Sequence, residues 1–398
     1  MKNIISLYKN AFGGLKKEIW LLSVVMFINR SGTMVVAFLS LYLTQKAQMS
    51  VEKAGLVMMI FGAGALFGSW LGGKVSDFKG HFFVQFWSLF IGGLLFFFIG
   101  ITYNFYFLCT ISFILSTFSE AYRPANQVAI SHYSNPETFT RSVSLVRLAI
   151  NLGWSIGPAI GGFLAFYSYN YLFWIDGITN ILAAILVYFF LNGNFEIVKV
   201  KVSKVIKSLD SPFKDRFFLC FLFFSTLYAL CFSPMFTVMN LYFKEVLHFN
   251  TKQIGIIMAF NGAIVAFVEM ILLFKIQGKY NILHLIAFGV FLLIINFLFI
   301  IGFSSFSMIM IAMLFASLSE IFAMPFMNTI TINRAKTHNK GQYSALYAMT
   351  WAFSQTLAPF ISTQIIGNYG YQTLLFTFVG ISCVSFLGFL VLKRNFKY

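Results

Sequence analysis

Four charged residues stand near the middle of long apolar segments, where a charge is hardest to accommodate. They are Arg30, Glu120, Arg123 and Glu320. A charge at the centre of a bilayer costs roughly 2.5–3.5 kcal/mol on insertion scales, so such residues are candidates for function. Glu120 and Arg123 are three residues apart and share a helix face, so they can pair. With Arg30 they form either a functional charge network or an ion network that only locks neighbouring helices together.

Glu320 differs from the other three because its own helix offers no nearby cation. The next basic residue, Arg334, is fourteen positions further on, roughly 21 Å along a helix. A carboxylate that is removed from water without a partner cation holds its proton more tightly. A proton carrier needs this property, since it must load and unload near cellular pH. We therefore predict that Glu320 binds and releases a proton.

Other polar groups are sorted by their depth in the apolar segments. Arg147, Asp176 and Glu269 are nearer to segment ends, and we interpret them as interfacial anchors or members of structural ion pairs. Amides and aromatic rings occur at the depth of the central charges, where aromatic faces suit flat or cationic molecules. They are Asn126, Asn240, Asn328, Tyr228, Tyr347 and Trp351.

The composition indicates a protein whose solvent is lipid. The 398 residues are 59% hydrophobic and 10% charged, against about 25% charged in soluble domains. A bilayer core requires about 20 apolar residues per helix. Windows of that length predict twelve spans, near residues 18–43, 54–73, 82–102, 105–131, 141–167, 171–191, 217–243, 253–276, 282–302, 305–332, 341–366 and 371–392.

The basic residues predict the orientation of these spans. Most of the 28 Lys and Arg residues fall in the termini and in loops on the same side as the termini. Lys46, Lys53, Lys244 and Lys252 lie on the opposite side. Because cytoplasmic loops carry an excess of Lys and Arg, we expect a multi-pass protein of the inner (plasma) membrane with both termini in the cytoplasm.

The chain also resembles itself at an offset of 200 residues. Gly62-Ala63 coincides with Gly262-Ala263, and Ser119-Glu120 coincides with Ser319-Glu320. Six spans per copy make the two copies parallel repeats, related by an axis along the membrane normal. We predict a six-helix bundle at 1–191, a cytoplasmic linker at 192–216, and a second six-helix bundle at 217–398.

This organisation resembles the major facilitator superfamily over nearly the full chain. The stretch Gly73-Lys-Val-Ser-Asp77-Phe-Lys-Gly80-His81 is similar to the G-x-L-A-D-R-x-G-R loop motif of that superfamily. The two glycines permit a tight turn, and Asp77 can pair with a helix N-terminus. The resemblance implies an all-α fold of two six-helix bundles and a motif that closes the cytoplasmic side.

Three further stretches point to branches of the superfamily. Gly153-Trp-Ser-Ile-Gly157-Pro158-Ala-Ile-Gly161-Gly162 resembles the Gly-Pro-x-x-Gly-Gly motif of drug:proton antiporters. The stretch from Ser319 to Pro325 is similar to the tenth helix of bacterial multidrug exporters. The run at 27–32 distantly resembles proton-coupled peptide transporters, but Asn29 stands where those carry an acidic residue, which argues against a peptide transporter.

The resemblance implies secondary-active transport by alternating access, with helices 1, 4, 7 and 10 lining the cavity. Our leading hypothesis is proton-coupled efflux of amphipathic small molecules. The alternative is proton-coupled uptake or exchange of a specific metabolite, peptide or lipid-like solute. Protons are assigned to Glu320 and Glu120, and the substrate cavity to Arg30, Glu120, Arg123, Asn126, Asn240, Asn328, Tyr347 and Trp351.

Other classes of protein are disfavoured by the motifs. HExxH and GxxxxGK[ST] are both missing from the sequence, and the GxSxG spacing at Gly153–Gly157 falls inside a predicted span, which argues against an enzyme and against ATP-driven transport. We expect no cofactor and no metal ion, and no nucleic-acid partner despite the net charge of +16. The expected partners are a small-molecule solute, protons and the lipid bilayer, with the chain acting as a monomer.

Overall fold

The computed structural model describes residues 13–101, 103–135, 137–191, 212–276, 279–335 and 339–395. Within these ranges every regular element is helical, and eleven helices are long and apolar enough to cross a membrane. We number the spans in chain order. Span 1 comprises helices Lys17–Ser31 and Thr33–Leu41 and the π-helical turn Tyr42–Lys46, and spans 2 to 6 are Val51–Lys79, His81–Ile99, Phe105–Tyr133, Phe139–Tyr167 and Tyr169–Leu191.

The remaining spans follow the predicted order. Span 7 comprises Arg216–Phe232, the 3₁₀ turn Ser233–Phe236 and Met239–Glu245, and spans 8 to 10 are Thr251–Ile276, Ile282–Gly302 and Phe306–Arg334. The last helix, Lys340–Asn395, has 56 residues and is interrupted at Gly370, where φ is 82°. Each of its two arms exceeds the roughly 20 residues that a bilayer core requires. The arms are spans 11 and 12, and the predicted twelve-helix architecture is confirmed.

The chain forms two compact units. The first contains Met1–Phe38 and Ile60–Val200, and the second contains Leu39–Met59 and Lys201–Tyr398. The end of span 1 and the start of span 2 therefore group with the second unit. The division of the sequence at a linker of residues 192–216 stays a prediction, and most of that linker, residues 192–211, lies outside the described residues.

Spans 1 and 7 are both interrupted, at positions that the repeat relates. Span 1 breaks at Gly32, and span 7 changes to a 3₁₀ turn at Ser233–Phe236, which begins within one residue of the 200-residue offset of the sequence repeat. Irregular backbone at membrane depth is tolerated where protein or a cavity surrounds it. The two sequence halves therefore share an interrupted first helix as well as similar residues.

Two rows of glycines hold the first unit closely packed. A methyl group added at Gly153 would lie 2.7 Å from Cβ of Arg30, and one at Gly161 would lie 2.6 Å from Cβ of Met34. Gly157, between them, faces the carbonyl of Ser31. Span 5 can therefore lie directly on span 1 where span 1 breaks, because small residues let helices approach closely.

The second row lies on span 2 and faces span 4. Side chains at Gly64, Gly68 and Gly72 would collide with the backbone or side chains of residues 113–121. The hydroxyl of Thr117 donates to the carbonyl of Gly64 at 3.1 Å. The spacing of four residues between these glycines is visible in the sequence.

Candidate functional site

The first unit contains an ion pair between Arg30 and Glu120. Arg30 Nη1 lies 3.0 Å from Glu120 Oε1, and the two side chains are 11% and 24% exposed. Arg30 occupies the last turn of helix Lys17–Ser31, where the carbonyl end of the helix dipole favours a cation. Span 4 supplies Glu120, so the pair joins spans 1 and 4 within the first unit.

Arg123, one turn beyond Glu120, plays a different part from Arg30. Its side chain is exposed, and its charge adds to the positive potential at Glu120. The hydrogen bond to the Glu120 carboxylate comes from Arg30 instead. The three-residue spacing suggested that Arg123 pairs with Glu120, but in the folded unit Arg30 is the hydrogen-bond partner.

Asn126 lies in a buried amide network between spans 3 and 4. Its Oδ1 accepts hydrogen bonds from Gln85 Nε2 at 3.3 Å and from the Tyr122 hydroxyl at 3.2 Å. All three residues are fully buried. In this conformation Asn126 binds its own unit, and its predicted contact with a solute stays a prediction.

The second unit places Glu320 in a different environment. Asn261 of span 8 donates from Nδ2 to Glu320 Oε2 at 3.3 Å and to Ser317 Oγ at 3.1 Å. In the described part of the chain, Glu320 forms no ion pair. At the repeat offset, Leu230 and Ala323 occupy the places of Arg30 and Arg123. The sequence analysis missed Asn261, although an amide in the middle of an apolar span is a signal in its own right.

Aromatic residues surround this part of the second unit. The Tyr228 hydroxyl hydrogen-bonds Ser319 Oγ at 3.1 Å, and its ring meets Trp351 edge-on at 6.2 Å between centroids. Tyr347 is partly buried, and its ring stacks on Phe221 at 6.4 Å. The structure thus brings Tyr228 and Trp351 together next to the helix that carries Glu320.

The two predicted asparagines of this unit lie elsewhere. Asn240 is fully buried at the start of helix Met239–Glu245, and its Nδ2 donates to the Phe236 carbonyl at 3.3 Å. It therefore satisfies the irregular backbone of span 7. Asn328 is half-buried, two turns beyond Glu320 in span 10.

The loop motif is more helical than the sequence analysis assumed. Span 2 continues to Lys79, so Gly73 is a helical residue and not part of the turn. Gly80 alone turns the chain, with φ of 84°, immediately before span 3. Asp77 is exposed at the end of span 2, and its action as a latch stays a prediction. In the other motif, Pro158 lies inside span 5, and both Pro158 and Gly162 are buried.

The interpretation of Asp176 as an interfacial anchor or ion-pair partner is wrong. The side chain is 0% exposed, and it lies inside span 6 against Gly32. The described residues provide neither carboxylate oxygen with a hydrogen-bond partner. Position along a span did not reveal burial, because burial depends on the helices that pack around the residue.

A polar cluster of Asp215, Arg334 and Tyr343 joins the ends of spans 7, 10 and 11. It was not predicted from the sequence. Asp215 caps span 7 by accepting from the Phe218 amide at 3.2 Å. Arg334 donates to both of its oxygens, at 2.7 and 3.1 Å, and the Tyr343 hydroxyl donates at 3.0 Å. Partial burial raises the pKa of Asp215, but the hydrogen bonds from Arg334 and Phe218 outweigh it and hold the pKa below its ordinary value of 3.8. An aspartate directly before an apolar run is the sequence signal for such a cap.

Comparison with known proteins agrees with this architecture. The family model described as Major Facilitator Superfamily matches residues 19–359. An uncharacterized MFS-type transporter, YttB, of Bacillus subtilis (strain 168) is 21% identical over 397 residues, with 96% of this chain and 97% of the relative covered.

Solved structures of low sequence identity share the fold. The nucleoside transporter NupG superposes with a TM-score of 0.80 at 16% identity, covering 96% of this chain and all of that chain. A POT family transporter in complex with 5-aminolevulinic acid gives 0.79 at 14% identity, with 96% of each chain covered. A bacterial homolog of the human lysosomal transporter Spinster gives 0.78 at 12% identity, covering 95% of this chain and 96% of the other. With the family match spanning most of its length, this twelve-span chain belongs to the Major Facilitator Superfamily and is a multi-pass membrane transporter.

Proposed function

We propose that the protein is a proton-coupled secondary transporter that exports amphipathic small molecules, with Glu320 as the residue that carries the proton. The observation that carries the proposal is the contrast between Glu120 and Glu320. The two glutamates are equivalent in the repeat, yet Glu120 is paired with Arg30, whereas Glu320 has the neutral Asn261 as its hydrogen-bond partner.

The contrast has a direct electrostatic consequence. An arginine at 3.0 Å stabilises the ionised form of Glu120, whereas a neutral amide offers Glu320 far less compensation for its lost hydration. A group that carries protons must exist in both forms during a transport cycle. Glu320 meets that requirement better than Glu120, so we assign the coupled proton to Glu320 and a solute-contacting or structural role to the Arg30–Glu120 pair.

The solute class follows from the residues near Glu320. Trp351 and Tyr347 are partly buried aromatic residues of the same unit, with the fully buried Tyr228 against Trp351, and aromatic faces attract flat or cationic molecules. The direction of export is supported by the resemblance of the Gly-Pro stretch of span 5, Gly153 to Gly162, to the motif of drug:proton antiporters. Both features suit amphipathic molecules that leave the cell in exchange for protons.

Uptake of a specific solute is the second candidate. The Arg30–Glu120 pair offers one cation and one anion, a suitable arrangement for a zwitterionic molecule. Two of the solved structures with this fold are a nucleoside transporter and a POT family transporter bound to 5-aminolevulinic acid. If this protein takes up its solute, the solute and the proton move in the same direction.

Proton flux in proteoliposomes tests both candidates. A pH gradient is imposed in each direction, and amphipathic cations, neutral drugs and zwitterionic metabolites are added in turn. We expect amphipathic molecules to trigger proton movement in the wild-type protein and in Glu137→Gln, which removes an exposed carboxylate in a loop. Glu320→Gln should abolish this movement while solute binding persists.

The outcomes separate the proposals. Full proton coupling in Glu320→Gln would refute the assignment of the carrier. Proton movement that accompanies a zwitterionic solute inward, with no response to amphipathic molecules, would replace export by uptake.

A further inference from the structure

A second buried carboxylate, Asp176, lies in the first unit and takes no part in the proposed exchange at Glu320. It belongs to span 6, its side chain is completely buried, and neither oxygen has a hydrogen-bond partner in the described residues. Leaving a carboxylate charge in such a place costs several kcal/mol unless it is paired or coordinated. Buried groups without partners require an explanation in a native protein.

Asp176 faces the interruption of span 1. A methyl group added at Gly32 would lie 2.6 Å from Asp176 Oδ1 and 3.1 Å from the carbonyl oxygen of Asn29. The amide of Gly32 donates to the carbonyl of Arg30. In a regular α-helix it would donate to the carbonyl of residue 28. The carboxyl group therefore lies against span 1 at Gly32, where the regular hydrogen-bond pattern of the helix is interrupted.

Neighbouring polar groups have other partners. Asn29 Nδ2 donates to Asn180 Oδ1 at 3.4 Å, and Asn180 Nδ2 donates to the backbone carbonyl of Asp176 at 2.9 Å. The hydroxyl of Thr179 also donates to that carbonyl. These contacts serve the backbone of span 6 and leave the Asp176 carboxyl group without a donor.

The charged and titratable groups around Asp176 are few. On span 1, Arg30 donates to Glu120. Span 3 contacts span 6 where Gly93 meets Gly177. His81, on span 3, is twelve residues from Gly93, roughly 18 Å along the helix. Span 5 brings Arg141 and Arg147 near its start, and Arg147 is exposed, ten residues before Gly157. On span 6 itself, Tyr169 and Tyr171 precede Asp176 by two turns and one turn. None of these forms an ion pair with Asp176.

We propose that Asp176 is a proton-binding site, separate from Glu320, at the break of span 1. In the conformation seen here it is a neutral carboxylic acid whose hydroxyl can donate to a backbone carbonyl near Gly32. Loss of the proton to water leaves a buried negative charge to which no described residue donates a hydrogen bond. Spans 1 and 6 must then separate at this level to admit water, or Arg30 must move from Glu120 to Asp176.

The site would couple proton binding to the shape of span 1. Because Arg30 is two residues before Gly32, a change at the break also moves the cation that holds Glu120. A proton site at Asp176 is compatible with any solute and with either direction of transport. It adds a proton site in the first unit to the one proposed in the second.

Infrared spectroscopy of the purified protein in lipid vesicles tests the site without any transport assay. A protonated carboxyl group has a C=O absorption that a carboxylate lacks, and the chain has only 12 Asp and Glu residues. At neutral pH we expect one such band to be lost in Asp176→Asn and retained in Glu137→Gln. Glu320→Gln should remove a different band, so failure at one carboxylate is distinguishable from failure at the other.

A second variant guards against misfolding of the first. Gly32→Ala places a methyl group 2.6 Å from Asp176 Oδ1, so it should shift the frequency of the same band while Asp176 remains present. A spectrum in which Asp176→Asn retains every protonated-carboxyl band of the wild-type protein would overturn the proposal. So would a Gly32→Ala spectrum with an unchanged band, should Asp176→Asn fail to fold.

Discussion

At the scale of single residues, the two halves use one glutamate position in two ways. Ser119-Glu120 and Ser319-Glu320 are equivalent in the repeat, but the first unit supplies Arg30 and the second supplies leucine at the corresponding place. The repeat in the sequence therefore relates Glu120 to Glu320. The sequence placed both Arg30 and Arg123 in a network with Glu120, but it did not predict which of the two donates the hydrogen bond, because that depends on how spans 1 and 4 pack.

Removal of Glu120 should destabilise the protein because Arg30 would remain mostly buried without its carboxylate. Breaking a buried pair by removing one partner costs about 3–5 kcal/mol. We expect Glu120→Gln to lower the free energy of unfolding by about 3 kcal/mol, measured by denaturant titration in detergent micelles. The double variant Arg30→Met with Glu120→Leu should recover most of that loss.

The double variant also distinguishes a structural role of the Arg30–Glu120 pair from a role in solute binding. A pair that only locks helices can be replaced by apolar residues with transport intact. If the stable double variant no longer binds solute, the pair belongs to the binding site.

At the scale of the elements, hydropathy located the spans but not their irregularities. A window of apolar residues measures whether a segment is long enough, and it is insensitive to a break such as Gly32 or Ser233–Phe236. The same method ended span 2 at Gly73, because the polar residues up to Lys79 reduce hydropathy while the helix continues. The glycine rows at Gly64 and Gly153 were readable as four-residue spacing, but the sequence alone could not tell which helices they face.

The Asp215 cluster should make the ends of spans 7, 10 and 11 sensitive to acid. Its pKa in the folded protein is below the ordinary value of 3.8, so the carboxylate stabilises the folded state at higher pH. This contribution should decline as the pH falls below that value and Asp215 becomes protonated. Thermal unfolding between about pH 5 and pH 2 should show a loss of stability in the wild-type protein that is smaller in Asp215→Asn.

A matched variant checks that the effect belongs to this cluster. Glu137→Gln removes an exposed carboxylate and should retain the wild-type pH dependence. If Asp215→Asn and the wild-type protein lose stability in parallel, the cluster does not contribute as described.

At the scale of the whole molecule, the repeat was predictable and the grouping of one segment was not. Residues 39–59 belong to the first half by sequence but pack in the second compact unit. There Ser40 Oγ donates to the Thr237 carbonyl at 2.7 Å, and Gln45 Nε2 lies 3.4 Å from Glu245 Oε1. These contacts join residues about 200 positions apart, beyond the reach of local sequence patterns.

The predicted orientation of the chain can be measured directly. The excess of Lys and Arg predicts that both termini lie in the cytoplasm. Single cysteines introduced at Lys46 and Lys244 in a cysteine-free background should react with an impermeant thiol reagent in intact cells, and cysteines at Lys79 and Lys279 should not. The reverse pattern would contradict the orientation.

The grouping of residues 39–59 also changes what a cut in the chain can do. The backbone passes from one compact unit to the other near residues 38, 59 and 200. A protease that cleaves the linker therefore severs one of three covalent connections, and the two units remain tied by the other two. A fragment that ends in the linker would carry with it a piece of the opposite unit, so the two sequence halves are not interchangeable with the two packing units.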